Sequence, residues 1–259
     1  MIPIFDSLTH PTLDGKWLNR DTLATFDDLK SQMKQAYVPF AIACGINGNG
    51  YNHEEYFSVS SNVDGLIPIA RLNMSADSLE QELQHIYDIG YKGIKIHPRY
   101  EKFNYSEEKL SRVFIKCQQL GLIVHWCSFY YTEINNYPSY DPYFLIVNAL
   151  KKAPKLDLVI VHGGVHDLLK YAELARFNSN ILLDLSLTLF QYKETTHYQN
   201  IQFLLKKIDR RLCLGSDHPE IQLLDLRTEF EEFCKLDLAE EKLWNIACRN
   251  IGAKYKIEF

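Results

Sequence analysis

Eight short apolar runs recur along the chain, most of them rich in β-branched residues, and each is followed by a segment long enough for a helix. They cover residues 2–5, 38–44, 66–72, 93–96, 122–126, 156–161, 181–185 and 211–214. Each has the length of a buried strand. Between them the apolar residues take helical spacing, as in Leu23, Phe26, Leu29 and Met33 of 21–35, or Leu79, Leu83, Ile86 and Ile89 of 78–89. Helices are also expected over 106–120, 142–153, 167–177, 198–207, 223–234 and, last, 239–249. The connection 45–61 is the least regular, and its helix is weak. Strands joined by crossovers of this length must run parallel. Strands apolar on both faces need helices on both sides or all round.

Eight such units in 259 residues fit a closed (β/α)8 TIM barrel, a single domain over 1–259 with an extra C-terminal helix. A doubly wound open sheet would carry a Gly-rich phosphate turn after an early strand. Asn47-Gly48-Asn49-Gly50 has neither that pattern nor the phosphate-loop one and reads as a turn. A net charge of −5 gives no basic footprint for nucleic acid. No apolar stretch approaches the roughly 20 residues of a membrane helix. The N-terminal run is preceded by no Lys or Arg, so it does not read as a signal peptide. Six cysteines without a CxxC pair read as free thiols in a reducing compartment, and the expected location is the cytoplasm.

In such a barrel the active site lies where the strands end. Four of the nine histidines, His10, His97, His125 and His162, stand at strand ends, and Asp217 and His218 follow the eighth run. Imidazoles with a carboxylate are the ligand set of zinc and similar cations. A cation held by two or three His and one Asp lowers the pKa of its water and polarises a carbonyl. In that scheme His10, His125 and Asp217 are ligands, Asp217 is also the base, and His162 steadies the oxyanion.

These segments resemble a known family. Asp6-Ser7-Leu8-Thr9-His10-Pro11 is similar to the first-strand D-x-H-x-H motif of the amidohydrolase superfamily. Gly93-Ile94-Lys95-Ile96-His97-Pro98 is similar to the fourth-strand GIKLHP of its amidohydrolase-related branch, which holds decarboxylases and lactonases. Tyr140-Asp141-Pro142, Ala153-Pro154-Lys155-Leu156, VIVHGG at 159–164, GSDHP at 215–219 and Asn250-Ile251-Gly252 follow in the branch's order. The resemblance implies a TIM-barrel hydrolase or lyase that carries a divalent metal in most members. It also implies ligand positions at His10, His125 and Asp217 and a catalytic position at His162. The first histidine of the strand-one pair is Leu8 here. Leu8 removes one ligand of four, which His97 or a water would have to replace. Some lactonases of the branch work without a metal, with His, Asp and Arg alone, and Leu8 suits that alternative.

The expected substrate is a small molecule, anionic or ring-containing. Lys95, His97, Arg99 and Arg71 on the rim would bind it, Arg gripping a carboxylate or phosphate with two bonds. Phe129, Tyr130, Tyr131, Tyr137, Tyr140, Tyr143 and Phe144 would cover the site. The reading from sequence is metal-dependent, zinc-assisted hydrolysis of an amide, ester or lactone. A metal-independent lactonase, a non-oxidative decarboxylase and a non-catalytic binding barrel are its alternatives. A homo-oligomer is compatible with the alternating tail 255–259, which can pack on its own barrel or on a neighbour.

Overall fold

The computed structural model describes residues 1–18, 20–46, 50–101 and 106–259. Asn47, Gly48 and Asn49 of the expected turn lie outside these residues, while Gly50 is in a turn with φ 69°. The strands are β1 Phe5–Thr9, β2 Lys16–Trp17, β3 Arg20–Leu23, β4 Phe40–Cys44, β5 Leu66–Arg71, β6 Gly93–Ile96, β7 Ile123–Cys127, β8 Leu158–Val161, β9 Ile181–Asp184 and β10 Leu212–Cys213. Eight of them form one parallel sheet in the order β1-β4-β5-β6-β7-β8-β9-β10. The two edges meet. Ser7 N donates to Leu214 O at 2.8 Å, Asp217 N to Leu8 O at 3.0 Å, and His10 N to His218 O at 2.7 Å. The fold is therefore the TIM barrel that the pattern predicts.

The helices between the strands are α1 Phe26–Gln35, α2 His53–Ser61, α3 Leu79–Ile89, α4 Glu107–Leu120, α5 Pro142–Lys152, α6 Leu168–Phe177, α7 Thr188–Gln191 and α8 Thr196–Lys207. After β10 come α9 Leu223–Cys234, α10 Glu240–Trp244, a π-helical turn at Asn245–Arg249 and α11 Asn250–Tyr255. Polar caps start several of them where the sequence places them. Ser106 Oγ accepts from Lys109 N at 3.2 Å, and Asp141 from Tyr143 N at 2.9 Å ahead of Pro142. Buried apolar side chains on their inner faces, such as Leu29, Leu83, Phe114 and Leu205, pack the helices against the strands.

Three elements depart from expectation. The first strand lies three residues later than its apolar run, because Asp6, Ser7 and Thr9 find buried partners. Thr9 Oγ1 donates to Ile42 O at 2.7 Å and Ser7 Oγ to Asp184 at 2.6 Å. The expected helix 21–35 begins only after Thr25, whose hydroxyl accepts from Asp28 N at 3.0 Å, and the antiparallel hairpin β2–β3 takes the residues before it. The last helix runs past 249 to Tyr255.

The tail then turns back under its own barrel, Ile257 N donating to Gly252 O at 2.9 Å. Phe259 lies 6.2 Å from Phe5 and 5.7 Å from Phe40, ring to ring. These rings close the end of the barrel where the strands begin. Tyr255 passes them and enters the interior.

Candidate active site

At the opposite end, where the strands finish, a cavity of about 280 Å³ opens. Its walls include His10, Lys95, His97, Arg99, His162 and Asp217, with Trp17, Tyr100 and Phe129 above them. The structure thus gathers six of the eight expected site residues, Asp217 among them. Arg71 and His125 are not in the wall. The Arg71 guanidinium is 3.9 Å from Glu101. His125 is fully buried deeper in the barrel. Of the aromatic segment 129–144, only Phe129 lines the cavity. Tyr130 instead accepts from Trp126 Nε1 at 2.6 Å and bonds Tyr171 at 2.8 Å, within the core.

The backbone at three of these strand ends is left-handed without being glycine: His162 has φ 65°, Leu187 59° and Asp217 58°. Such conformations cost about 1–3 kcal/mol each and persist only where neighbours fix them. At His162, the backbone N donates to Asp184 Oδ2 at 3.2 Å and Thr188 Oγ1 to His162 O at 2.7 Å. At Asp217, Ser216 is pinned by Asp6, which accepts from Ser216 N at 2.9 Å and Ser216 Oγ at 2.6 Å. The paired glycines after His162 have a steric reason. A Cβ at Gly164 would lie 2.2 Å from the Tyr171 ring. A Cβ at Gly215 would lie 2.5 Å from Asp184 Oδ1, against the bond between Asp184 and Ser7.

Hydrogen-bond partners assign the imidazoles. His10 Nδ1 lies 3.1 Å from Cys44 O, and a carbonyl only accepts, so Nδ1 carries the proton. Its Nε2 lone pair accepts from Lys95 Nζ at 2.8 Å. Burial, then the Lys95 charge, brings His10 down to about 4, so it is neutral at pH 7. His162 Nδ1 donates to Ser186 O at 3.1 Å, with Ser186 Oγ at 3.0 Å, and Ser186 Oγ is itself bonded to Asp184. Burial pulls His162 down, but the Asp217 carboxylate and then Cys127 more than reverse this and raise it. Burial likewise opposes ionisation of Asp217, yet His162, then His10 and Lys95, hold its carboxyl well below the usual carboxylate range. Asp217 Oδ1 is 3.3 Å from His10 Nε2. The cavity therefore holds an ionised carboxylate facing cationic groups in a buried wall.

The expected metal ligands are not brought together as a donor set. Leu8, fully buried, offers no lone pair. The Nε2 of His10 is taken by Lys95. The Nε2 of His125 is 2.8 Å from the Tyr255 hydroxyl, which reaches it from the other end of the barrel. His97 lines the wall with its Nδ1 unpartnered and its ring on Tyr100 at 4.2 Å, and it is not grouped with two further donors. Among the described residues no three His, Cys, Asp or Glu side chains are grouped to hold a metal ion. The residues present do not fit a zinc ion or another divalent cation. His218 also lies outside the wall, fully buried and 3.7 Å from Asp28.

Tyr255 and Trp17 contribute to the site without a motif to announce them. The phase of the alternating tail was the only signal for Tyr255. Trp17 stacks on His10 at 5.3 Å from the short hairpin.

A family model described as Amidohydrolase matches residues 15–252. The chain belongs to the Amidohydrolase family. No curated protein matches it. Solved structures match this chain over almost its whole length. An uncharacterized TIM-barrel protein from Bordetella bronchiseptica is 17% identical with a TM-score of 0.77, covering 98% of each chain. A putative 2-pyrone-4,6-dicarboxylic acid hydrolase from Pseudomonas putida is 14% identical, with a TM-score of 0.70 over 100% of this chain and 99% of its own. The 5-carboxyvanillate decarboxylase of Sphingomonas paucimobilis is 10% identical, with a TM-score of 0.71 over all of both chains. At these identities the likeness shows the shared fold. The same amidohydrolase barrel thus occurs in proteins named for hydrolysis and for decarboxylation.

Proposed function

We propose that this protein hydrolyses a small lactone or related ester bearing a carboxylate, by chemistry that needs no metal ion. The observation that carries the reading is Asp217, held ionised in a buried wall between Lys95–His10 and His162. A water poised on Asp217 gives up its proton as its oxygen attacks the acyl carbon. The carbonyl electron pair moves onto oxygen, and the acyl C–O bond then breaks with His162 protonating the departing oxygen. A strongly ionised carboxylate is a weak base at rest. As the oxyanion forms, the cations that held Asp217 down compensate the new charge instead, and its proton affinity rises.

Arg99 supplies the grip on the substrate. Its guanidinium stacks over Phe129 at 4.6 Å and Tyr100 at 5.6 Å, and among the described residues no carboxylate lies within ion-pair distance of it. It is free to take a substrate carboxylate. The name of the Pseudomonas putida neighbour denotes hydrolysis of a pyrone, a cyclic ester, which agrees with this substrate class.

The test is a panel of carboxylated lactones and aryl esters, followed by proton release in the presence of excess chelator. Turnover that survives chelation and is lost in Asp217→Asn is expected. Loss of activity on chelation, or release of carbon dioxide from carboxylated phenols with no ester cleaved, would overturn it.

A further inference from the structure

We propose that the Lys95 ammonium is the resident cation of this site, polarising the scissile carbonyl and holding the oxyanion in the role a metal ion would otherwise fill. The inference rests on the hydrolytic reading above and adds a catalytic residue to it. Three observations meet on this one side chain. First, Lys95 is almost fully buried in the cavity wall, with Nζ on the His10 lone pair. Second, that bond is its only one among the described residues, and no carboxylate oxygen lies within 4.0 Å of it there. An ammonium has three N–H donors. A buried one with a single partner is undersupplied with acceptors, and an oxyanion forming in the cavity would supply them.

Third, the neighbouring groups have been diverted from metal binding in complementary ways. Leu8, fully buried two residues before His10, offers hydrocarbon and no lone pair. His125, paired in register with Lys95, is turned to Tyr255. A dication near His10 and Asp217 would face the ammonium at short range in a medium that screens poorly. The two cations exclude each other, so the site is built for one of them.

The step balances without loss of a proton from Lys95. The water oxygen bonds the acyl carbon, and its proton passes to Asp217. The carbonyl pair moves to oxygen, where Lys95 donates hydrogen bonds. The acyl C–O bond then breaks, and the leaving oxygen takes a proton from His162.

Zinc chloride is the probe. The full-length protein, Leu8→His, Lys95→Met and Leu8→His/Lys95→Met are dialysed against micromolar zinc, checked by circular dichroism and analysed for metal. The parent and Leu8→His should each hold less than about a tenth of a zinc per chain, and the double variant about one, because three ligands then face an uncharged methionine. Lys95→Met should also lower kcat on the cleaved ester by about 10²–10³ while KM moves far less. Stoichiometric zinc in the parent overturns the proposal even if no variant folds. So does a folded double variant that takes up none, or a Lys95→Met enzyme with the parent's kcat. Failure of every ester in the panel sinks the hydrolytic reading, whereas the zinc measurements decide separately whether an ammonium owns the cation site.

Discussion

Replacing Tyr255 by Phe removes one oxygen and keeps the ring. Among the described residues that oxygen is the only partner of His125 Nε2, and His125 Nδ1 has none. The variant leaves a fully buried imidazole with both nitrogens unpartnered. Leaving one buried polar atom unsatisfied costs about 1–3 kcal/mol. In a domain of this size that corresponds to a fall in Tm of roughly 2–12 °C. The ring contact with Phe5, at 6.2 Å, survives in Phe and is lost in Tyr255→Ala, which should cost about 3–5 kcal/mol. Differential scanning calorimetry on parent and both variants gives the comparison. A Tyr255→Phe protein melting within about 1 °C of the parent, with Tyr255→Ala well below it, would show that the hydroxyl contributes nothing. The argument that the tail fixes His125 would then be wrong.

Asp217→Asn should fold and lose about 10²–10⁴ of kcat, because an amide cannot take the proton of water; stopped assays on the cleaved ester check this. Arg99→Met should raise KM for a carboxylated ester about 10–100-fold, the value of a lost charge-assisted bond, and leave an uncharged ester unaffected. Stability should fall as pH drops from about 6.5 to about 4.5. Burial holds His10 and His218 at about 4 and His125 at about 3, so each binds its proton more readily unfolded and loses stability on acidification. His97, also lowered by burial, acts in the same direction, while burial lifts Asp6 and Glu101 to about 7 and these two act in the opposite direction. Urea melts across that range test the slope, which a flat or inverted profile would contradict.

The barrel was legible because its strands are apolar and its helices amphipathic. β1 was displaced because side-chain bonds to the sheet's far edge stabilise a strand that hydrophobicity does not reveal. The hairpin was hidden because Leu23 continues the helical spacing of Phe26 and Leu29, while the Thr25 cap sets the boundary. In the site, strand-end position singles out His10, His162, Asp217, Lys95, His97 and Arg99, and all six line one cavity. It could not show which nitrogen each histidine would present, or to what. The Lys95–His10 bond joins residues 85 apart, and the Tyr255–His125 bond residues 130 apart. Arg71 was misplaced for the same reason, since Glu101 reaches it from a different strand end.

The seam between the first and last strands also sets when this protein can work. Asp217 owes its backbone position to Leu8 and Asp6, more than 200 residues earlier in the chain, through bonds that exist only once the ends have met. Contacts of such long sequence separation form late and slowly. In a refolding experiment, far-ultraviolet ellipticity should recover first and turnover last. The lag between them measures the rate at which the seam zips, and half-barrels that regain their helices stay silent.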